Sequence, residues 1–138
     1  MIVLDTNVLS EAMKPSPDAT LARWMVRERG RGLFTTSLFE AEIIYGITIL
    51  PDGRRKRDLD AAAQSVLALF AGRILPFDSL AAREFAAIVA DRRRLGRPID
   101  SFDAQIAAIA RAHSMALATR DAQDFAETGL QIINPWQP

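Results

Sequence analysis

Short apolar runs that alternate with amphipathic stretches constrain the fold of this chain more than any other feature. Five such runs are typical of strands, at residues 2–4, 33–36, 73–76, 116–119 and 131–133. The longer segments between them place apolar residues three and four apart, which is the spacing of one helix face. This alternation predicts βαβ units in an α/β fold, with a mainly parallel sheet flanked by helices on both faces. We expect a single domain over residues 1–138.

Composition and motif content exclude several classes of function. The chain has no cysteine, which rules out disulfides and thiolate nucleophiles and is compatible with a reducing cytoplasm. No apolar run approaches the roughly 20 residues of a membrane span, and the N-terminal residues do not resemble a signal peptide. No P-loop, dinucleotide-binding loop or serine nucleophile elbow is present. We therefore expect a cytoplasmic protein without a membrane partner.

Four acidic residues are the candidates for a functional site. Asp5 follows the first predicted strand and Asp121 follows the fourth, at the strand ends where open parallel sheets bind ligands. Glu42 shares a predicted helix face with apolar neighbours such as Leu38, which draws its carboxylate toward the core, where an unpaired charge is costly. Asp103 lies in the first turn of another predicted helix.

Each of these residues also has a purely structural interpretation. Asp5 suits a turn or a helix cap, and Asp121 can cap the short helix that follows it. Asp103 fits the reciprocal position of a capping box opened by Asp100, and the helix dipole favours its charge there. Glu42 can pair with an arginine at the edge of the core. Considered singly, Asp5, Asp103 and Asp121 are better explained as caps and turns, and only Glu42 is locally awkward.

Considered together, the four carboxylates predict a metal site. Several carboxylates within a few ångströms of one another raise each other's pKa unless a cation compensates. An oxygen-only ligand set suits Mg²⁺ or Mn²⁺, which can orient and acidify water and stabilise charge on a phosphodiester. The single histidine, His113, falls at a helix end and is better suited to a cap or surface role than to catalysis.

The basic residues leave two interpretations open. The formal net charge is zero, which weighs against nonspecific affinity for nucleic acid. The runs at residues 54–57 and 92–94, the latter with Arg97, are interpreted first as solvated helix faces. The alternative is an electrostatic track for a nucleic-acid backbone beside the carboxylates.

Four segments, in register along the chain, resemble the PIN-domain family, specifically the VapC/FitB-like toxins of bacterial toxin–antitoxin pairs. They are IVLDTNVLSE at residues 2–11, EIIYG at 42–46, DAQIAA at 103–108 and ATRD at 118–121. The segment LFAGRILPFD at residues 69–78 and the terminal NPW at 134–136 resemble the FitB branch. The match covers essentially the whole chain, and no acidic position departs from the pattern.

The resemblance implies a PIN-like three-layer fold with an acidic pocket that binds Mg²⁺ or Mn²⁺. Asp5 and Asp103 would be the chief metal ligands, and Glu42 and Asp121 would complete the pocket, directly or through water. The other polar groups of the pocket would orient these ligands: Thr6, Asn7, Thr119 and, as a less certain fifth carboxylate, Asp124.

The resemblance also implies an activity and partners. The activity is that of a Mg²⁺-dependent endoribonuclease, the toxin of a type II toxin–antitoxin pair, which cleaves RNA phosphodiesters by metal-activated water. The implied partners are RNA, a second copy in a homodimer, and a cognate antitoxin that inserts an arginine or a C-terminal segment near the acidic pocket. Operator DNA would be bound only indirectly, through the antitoxin. Surplus apolar residues over 38–70 suit core packing by default, or a dimer or antitoxin groove.

Two other functions remain as alternatives. In a phosphotransfer domain, Asp5 would be the phosphorylated nucleophile. Phosphatases of that kind need a second aspartate two residues later, where this chain has Asn7, and receiver domains need a lysine after a late strand, whereas none follows Lys56. In a noncatalytic binding module, the carboxylates would receive an arginine from a partner protein.

Overall fold

A five-stranded sheet, parallel at every pairing, runs through the centre of the computed structural model, which describes residues 1–138. The spatial order of the strands is β3-β2-β1-β4-β5. The strands are β1 (Ile2–Leu4), β2 (Leu33–Thr36), β3 (Ile74–Leu75), β4 (Ala116–Ala118) and β5 (Ile132–Ile133). The helices are α1 (Thr6–Ala12), α2 (Ala19–Glu28), α3 (Ser37–Thr48), α4 (Arg54–Leu69), α5 (Ser79–Arg94) and α6 (Ser101–Ala112). Two 3₁₀ turns span Arg29–Arg31 and Ala122–Phe125.

Side chains that alternate along the central strands divide the core into two layers. Ile2 and Leu4 of β1 face one cluster, which also takes buried side chains from α1, α2 and α4. Val3 between them points to a second cluster, made chiefly with α5 and α6. The predicted α/β fold, a parallel sheet with helices on both faces, is confirmed. None of the helices is long and apolar enough to cross a membrane.

Helix starts follow the expected cap chemistry. Thr36 caps α3, because it keeps an extended backbone and accepts a hydrogen bond from the Phe39 N–H at 3.3 Å. Asp5, which suits a helix cap by its sequence position, caps α1 by accepting the Thr6 N–H at 2.8 Å. In both cases the strand and the helix join without a loop, so the last polar residue of the strand end becomes the cap.

The strand order places two strand ends side by side at a reversal of chain direction. From the central β1 the chain builds outward through β2 and β3, then crosses back to β4 and β5 on the other side. Ile2, Val3 and Leu4 of β1 pair in parallel with residues 116–118 of β4. The residues that follow these strands, Asp5 and Thr119, therefore lie together at the topological switch point, where open α/β sheets form their sites.

Candidate active site

Asp5 lies at the floor of the site and is held on both carboxylate oxygens. Its Oδ1 accepts the Thr6 N–H at 2.8 Å, and its Oδ2 accepts the Thr119 hydroxyl at 2.8 Å. Only 6% of the residue is exposed. Burial raises the pKa of Asp5, and the negative charges of Asp121 and Asp124 add to the rise, while the two hydrogen bonds oppose it. The local structure thus fixes the position of a carboxylate whose charge is poorly compensated.

Thr119 is the hub that connects Asp5 to the end of β4. Its buried hydroxyl donates to Asp5 and accepts hydrogen bonds from the Asn7 side-chain amide at 3.2 Å and the Asp121 N–H at 3.1 Å. The same Asn7 amide donates to Asp121 Oδ2 at 3.0 Å, and Asn7 Oδ1 accepts the Arg120 N–H at 3.3 Å. Asp121 makes no side-chain cap to the 3₁₀ turn that follows it. The carboxylate of Asp121 is therefore tied to the site and not to the turn.

Two helices contribute the remaining predicted acids. Asp103 is half-buried in the first turn of α6 and makes no side-chain hydrogen bond, so it does not close a capping box with Asp100. Burial, followed by the charges of nearby carboxylates with Asp5 foremost, raises the pKa of Asp103 to about 7. Burial also raises the pKa of Glu42 on α3, with smaller contributions from the charges of Asp5 and Asp100. Each of Asp5, Glu42 and Asp103 therefore has its pKa raised by the charge of at least one other predicted carboxylate, so the four lie within one region of the molecule.

Asp100 and Asp124 bring further negative charge to this region. Asp100 caps α6, with Oδ2 accepting the N–H groups of Phe102 at 3.0 Å and Asp103 at 3.4 Å. Asp124 follows Asp121 on the 3₁₀ turn, with its N–H bonded to the Asp121 carbonyl at 3.0 Å. Asp100, Asp103 and Asp124 line one cavity of about 150 Å³. From the sequence, Asp100 is predicted only as a helix cap. Its negative charge also raises the pKa of Asp103 and Glu42, an effect that follows from the packing of α6 against the sheet.

For Arg92, the prediction of a solvated side chain is wrong. The residue belongs to the run at residues 92–94, which was interpreted as a solvated helix face or an RNA track. Arg93 and Arg94 are exposed, but Arg92 is only 5% exposed and lines the cavity of Asp103 and Asp124. Neighbouring residues on a helix point in different directions, so one member of a charge run can face the interior, and here that member is Arg92.

The other sequence features lie where they were expected. His113 is exposed at the C-terminal end of α6, the cap position. Trp136 of the C-terminal segment packs against the first core cluster, and the Arg120 guanidinium lies 4.0 Å from the centre of its ring. Arg54, Arg55 and Arg57 are exposed on α4.

The residues fit a hydrated divalent cation better than a tightly caged one. No three of the acidic side chains lie close enough together to form a complete metal cluster. Mg²⁺ takes only one or two carboxylates in many proteins and keeps several of its waters, so the looser, oxygen-only arrangement suits it. The buried hydroxyl of Thr6 has no hydrogen-bond partner of good geometry, although it is near enough to Glu42 to oppose the rise in that residue's pKa. An unpaired buried hydroxyl beside the carboxylates is a group that a water on such a cation can satisfy.

Comparison with known proteins places the molecule in a family. Residues 2–130 match the PIN domain, and the chain belongs to the PIN-domain family. It is 40% identical over 139 residues to the VapC ribonuclease Y4jK of Sinorhizobium fredii, covering 100% of this chain and 99% of the relative. It is 38% identical to the toxin FitB of Neisseria gonorrhoeae, covering 99% of each protein. In structure it matches the FitAcB crystal structure from N. gonorrhoeae with a TM-score of 0.91, at 37% identity and 100% coverage of both chains.

Proposed function

We propose that this protein is a Mg²⁺-dependent endoribonuclease that acts as the toxin of a type II toxin–antitoxin pair, with Mn²⁺ as a possible substitute metal. The observation that carries the proposal is the convergence of acids from two strand ends and two helices on one region, where the pKa of Asp103 rises to about 7. An uncompensated negative field of this kind attracts a divalent cation. We propose RNA as the substrate because one of the relatives is named a ribonuclease, and the toxin role because another is named the toxin FitB.

In this proposal the carboxylates divide the work by position. Asp5 and Asp103 hold the cation, and Glu42 and Asp121 complete the pocket, directly or through water. When bound, the cation supplies Lewis acidity that activates a water and neutralises charge on the phosphodiester. Thr119 and the Thr6 N–H keep Asp5 in a fixed orientation.

In this proposal Asp103 must lose its proton before it holds the cation, because metal ligands bind in their deprotonated form and the pKa of Asp103 without metal is about 7. Proton transfer then falls to Glu42, which no hydrogen bond of the cap or strand ends constrains. Glu42, with its raised pKa and its place beside the Thr6 hydroxyl, is suited to accept a proton from the attacking water. Asn7 orients Asp121 and so serves as a positioning residue. Asp124 adds charge to the same rim.

The phosphotransfer alternative is disfavoured by the residue two positions after Asp5. Phosphatases of that kind need a second aspartate there, whereas this chain has Asn7, whose side-chain amide is bonded to Thr119 and Asp121. The noncatalytic alternative differs from the main proposal in one respect, because an arginine from a partner would then take the place of the cation. Absence of Mn²⁺ binding in calorimetry would favour it.

We further propose a cognate antitoxin and a second copy of this chain as protein partners. Structures similar to this one are of FitAcB and of FitAB bound to an IR36 DNA fragment. Three large apolar side chains on α3 and at its C-cap are exposed and supply a surface for such a partner: Ile44, Tyr45 and Ile49. In this proposal, operator DNA is reached only through the antitoxin.

The decisive experiment replaces single metal-holding carboxylates by isosteric amides. We expect Asp5→Asn and Asp103→Asn each to lower RNA cleavage about 1,000-fold, since several kcal/mol of transition-state stabilisation come from the metal. Circular dichroism should show that both variants stay folded. Asp58→Asn is the matched control, because Asp58 is exposed on α4 and is not among the groups that shift the pKa of Asp5, Glu42 or Asp103. Cleavage retained in both site variants would refute the proposal.

A further inference from the structure

Arg92 is the only buried basic side chain in the molecule. Its guanidinium pairs with backbone carbonyls and forms no salt bridge. Nε–H donates to the Arg97 carbonyl at 2.6 Å, and Nη1 donates to the carbonyls of Asp124 at 2.9 Å and Ala126 at 3.0 Å. A buried charge is tolerated only when hydrogen bonds replace its water. The position of Arg92 is therefore set by two backbone segments and not by an acidic partner.

Each of those two segments leads to acids of the site. Arg97 belongs to the connection between α5 and α6, which leads to the cap of α6 and then to Asp103. Asp124 and Ala126 belong to the 3₁₀ turn and its end, which begin just after Asp121. Arg92 itself, on α5, lines the same cavity as Asp103 and Asp124. One guanidinium thus bridges the segment of Asp103 and the segment of Asp121 and Asp124.

We propose that Arg92 is a positioning residue that holds these two segments at the separation at which their carboxylates share one divalent cation. This inference rests on the proposed function. The planar guanidinium fork can serve several acceptors in fixed directions, which a single ammonium cannot. Fork geometry and charge can be separated, because lysine keeps the charge and loses the fork.

A second arginine provides a matched control on the same two segments. Arg97 Nη1 lies 3.5 Å from Glu127 Oε1, so this pair also joins the connection before α6 to the end of the 3₁₀ turn. Both side chains are about half exposed, and exposed pairs of this kind contribute little to stability. Arg97→Met removes this surface link but leaves the Arg97 carbonyl available to Arg92.

The experiment compares Arg92→Met, Arg92→Lys and Arg97→Met by Mn²⁺ calorimetry on metal-free protein and by steady-state RNA cleavage. We expect Arg92→Met to weaken the Mn²⁺ Kd about 10- to 100-fold, as loss of groups behind metal ligands usually does. Arg92→Lys should fall between Arg92→Met and the wild type. Raising the Mn²⁺ concentration should recover kcat in the Arg92 variants, with KM for RNA unchanged. Arg97→Met should change Kd by no more than about twofold.

The outcomes separate this inference from the function on which it rests. Wild-type Mn²⁺ affinity in both folded Arg92 variants overturns the role of Arg92 alone. So does a loss of kcat that added Mn²⁺ does not recover. If Arg92→Met fails to fold, Arg92→Lys decides, and an unchanged Kd in that variant overturns the inference. A wild-type protein that binds no Mn²⁺ refutes the proposed function, and this inference with it.

Discussion

The carboxylates that follow the strands form the strand side of the acidic site, and hydrogen bonds hold them in place. The carboxylates on the helices form its helix side, where they repel one another and few hydrogen bonds hold them. Asp5 accepts two hydrogen bonds, and Asp121 is joined to it through Thr119 and Asn7. Asp103 accepts none, and its pKa rises to about 7. The strand side is therefore organised before any ligand arrives, and the helix side carries a charge penalty that a cation would relieve.

This difference follows from how each half is built. The strand ends are fixed in place by the parallel register of β1 and β4, so polar residues that follow them meet at constant spacing. The helix acids depend on where α3 and α6 pack and on the connection before α6. A rigid half and an adjustable half together suit a cation that keeps part of its hydration shell.

The largest effect is expected where the strand side loses its hub. Thr119→Val removes the hydroxyl that serves Asp5, Asn7 and Asp121, and leaves a buried carboxylate with one partner fewer. We expect the free energy of unfolding to fall by about 2 kcal/mol, the typical cost of buried polar groups left unpaired. Urea titration of the metal-free protein measures it.

Thr35→Val is the control for this change. Thr35 is a fully buried strand residue whose hydroxyl has no hydrogen-bond partner. The same substitution there should be neutral or stabilising by less than about 1 kcal/mol, because no bond is lost. Equal losses at the two positions would show that the strand side is not organised by its hydrogen bonds.

A smaller effect of opposite sign is expected on the helix side. Because folding raises the pKa of Asp103 from 3.8 to about 7, the folded state binds this proton more tightly, so the associated stability is present below pH 4 and is lost as pH rises through 7. Asp103→Asn avoids that loss. We expect the metal-free variant to match the wild type near pH 4 and to exceed it at pH 8 by on the order of 1 kcal/mol, after allowance for solvent screening of a half-exposed group.

Thermal or urea unfolding across this pH range checks the prediction. Asp58→Asn should give no increase in the free energy of unfolding that grows with pH. Asp58 is exposed on α4 and is not among the groups that raise the pKa of Asp103. A stabilisation by Asp103→Asn that is the same at pH 4 and pH 8 would mean that packing, and not charge, is responsible.

The smallest effect is expected from the neighbouring cap. Asp100→Ser keeps a side-chain oxygen for the N–H groups of α6 but removes a negative charge that raises the pKa of both Asp103 and Glu42. We expect the pKa of Asp103 to fall by about half a unit, since salt screens charges at the surface. Carboxyl NMR titration would measure it, and an unchanged or raised pKa would exclude the proposed coupling.

The strand side of the site could be predicted from the sequence because local rules suffice there. Apolar runs locate the strands. Asp5 comes immediately after β1, and Asp121 lies three residues beyond the end of β4. The parallel sheet then brings them together without further information.

The helix side could not be predicted to the same depth, because it depends on tertiary packing. Nothing local distinguishes Arg92 from Arg93 and Arg94, yet only Arg92 is buried and bonded to segments 32 and 34 residues away. The second role of Asp100, beyond its cap, likewise appears only when α6 is placed against the sheet. The raised pKa of Asp103 comes first from burial and then from the charges of other carboxylates, of which Asp5, Asp121 and Asp124 are distant in sequence.

Trp136 gives the molecule its own optical reporter beside the acidic site. Its ring lies against the guanidinium of Arg120, the residue that precedes Asp121. The Arg120 peptide N–H donates to the side-chain oxygen of Asn7. Indole emission responds to a nearby charge, so a movement of this strand end on ligand binding changes the colour or intensity of the light that Trp136 emits. The other tryptophan, Trp24, is buried in the core. A Trp24→Phe background would leave Trp136 as the only tryptophan, whose emission would then follow the site in real time.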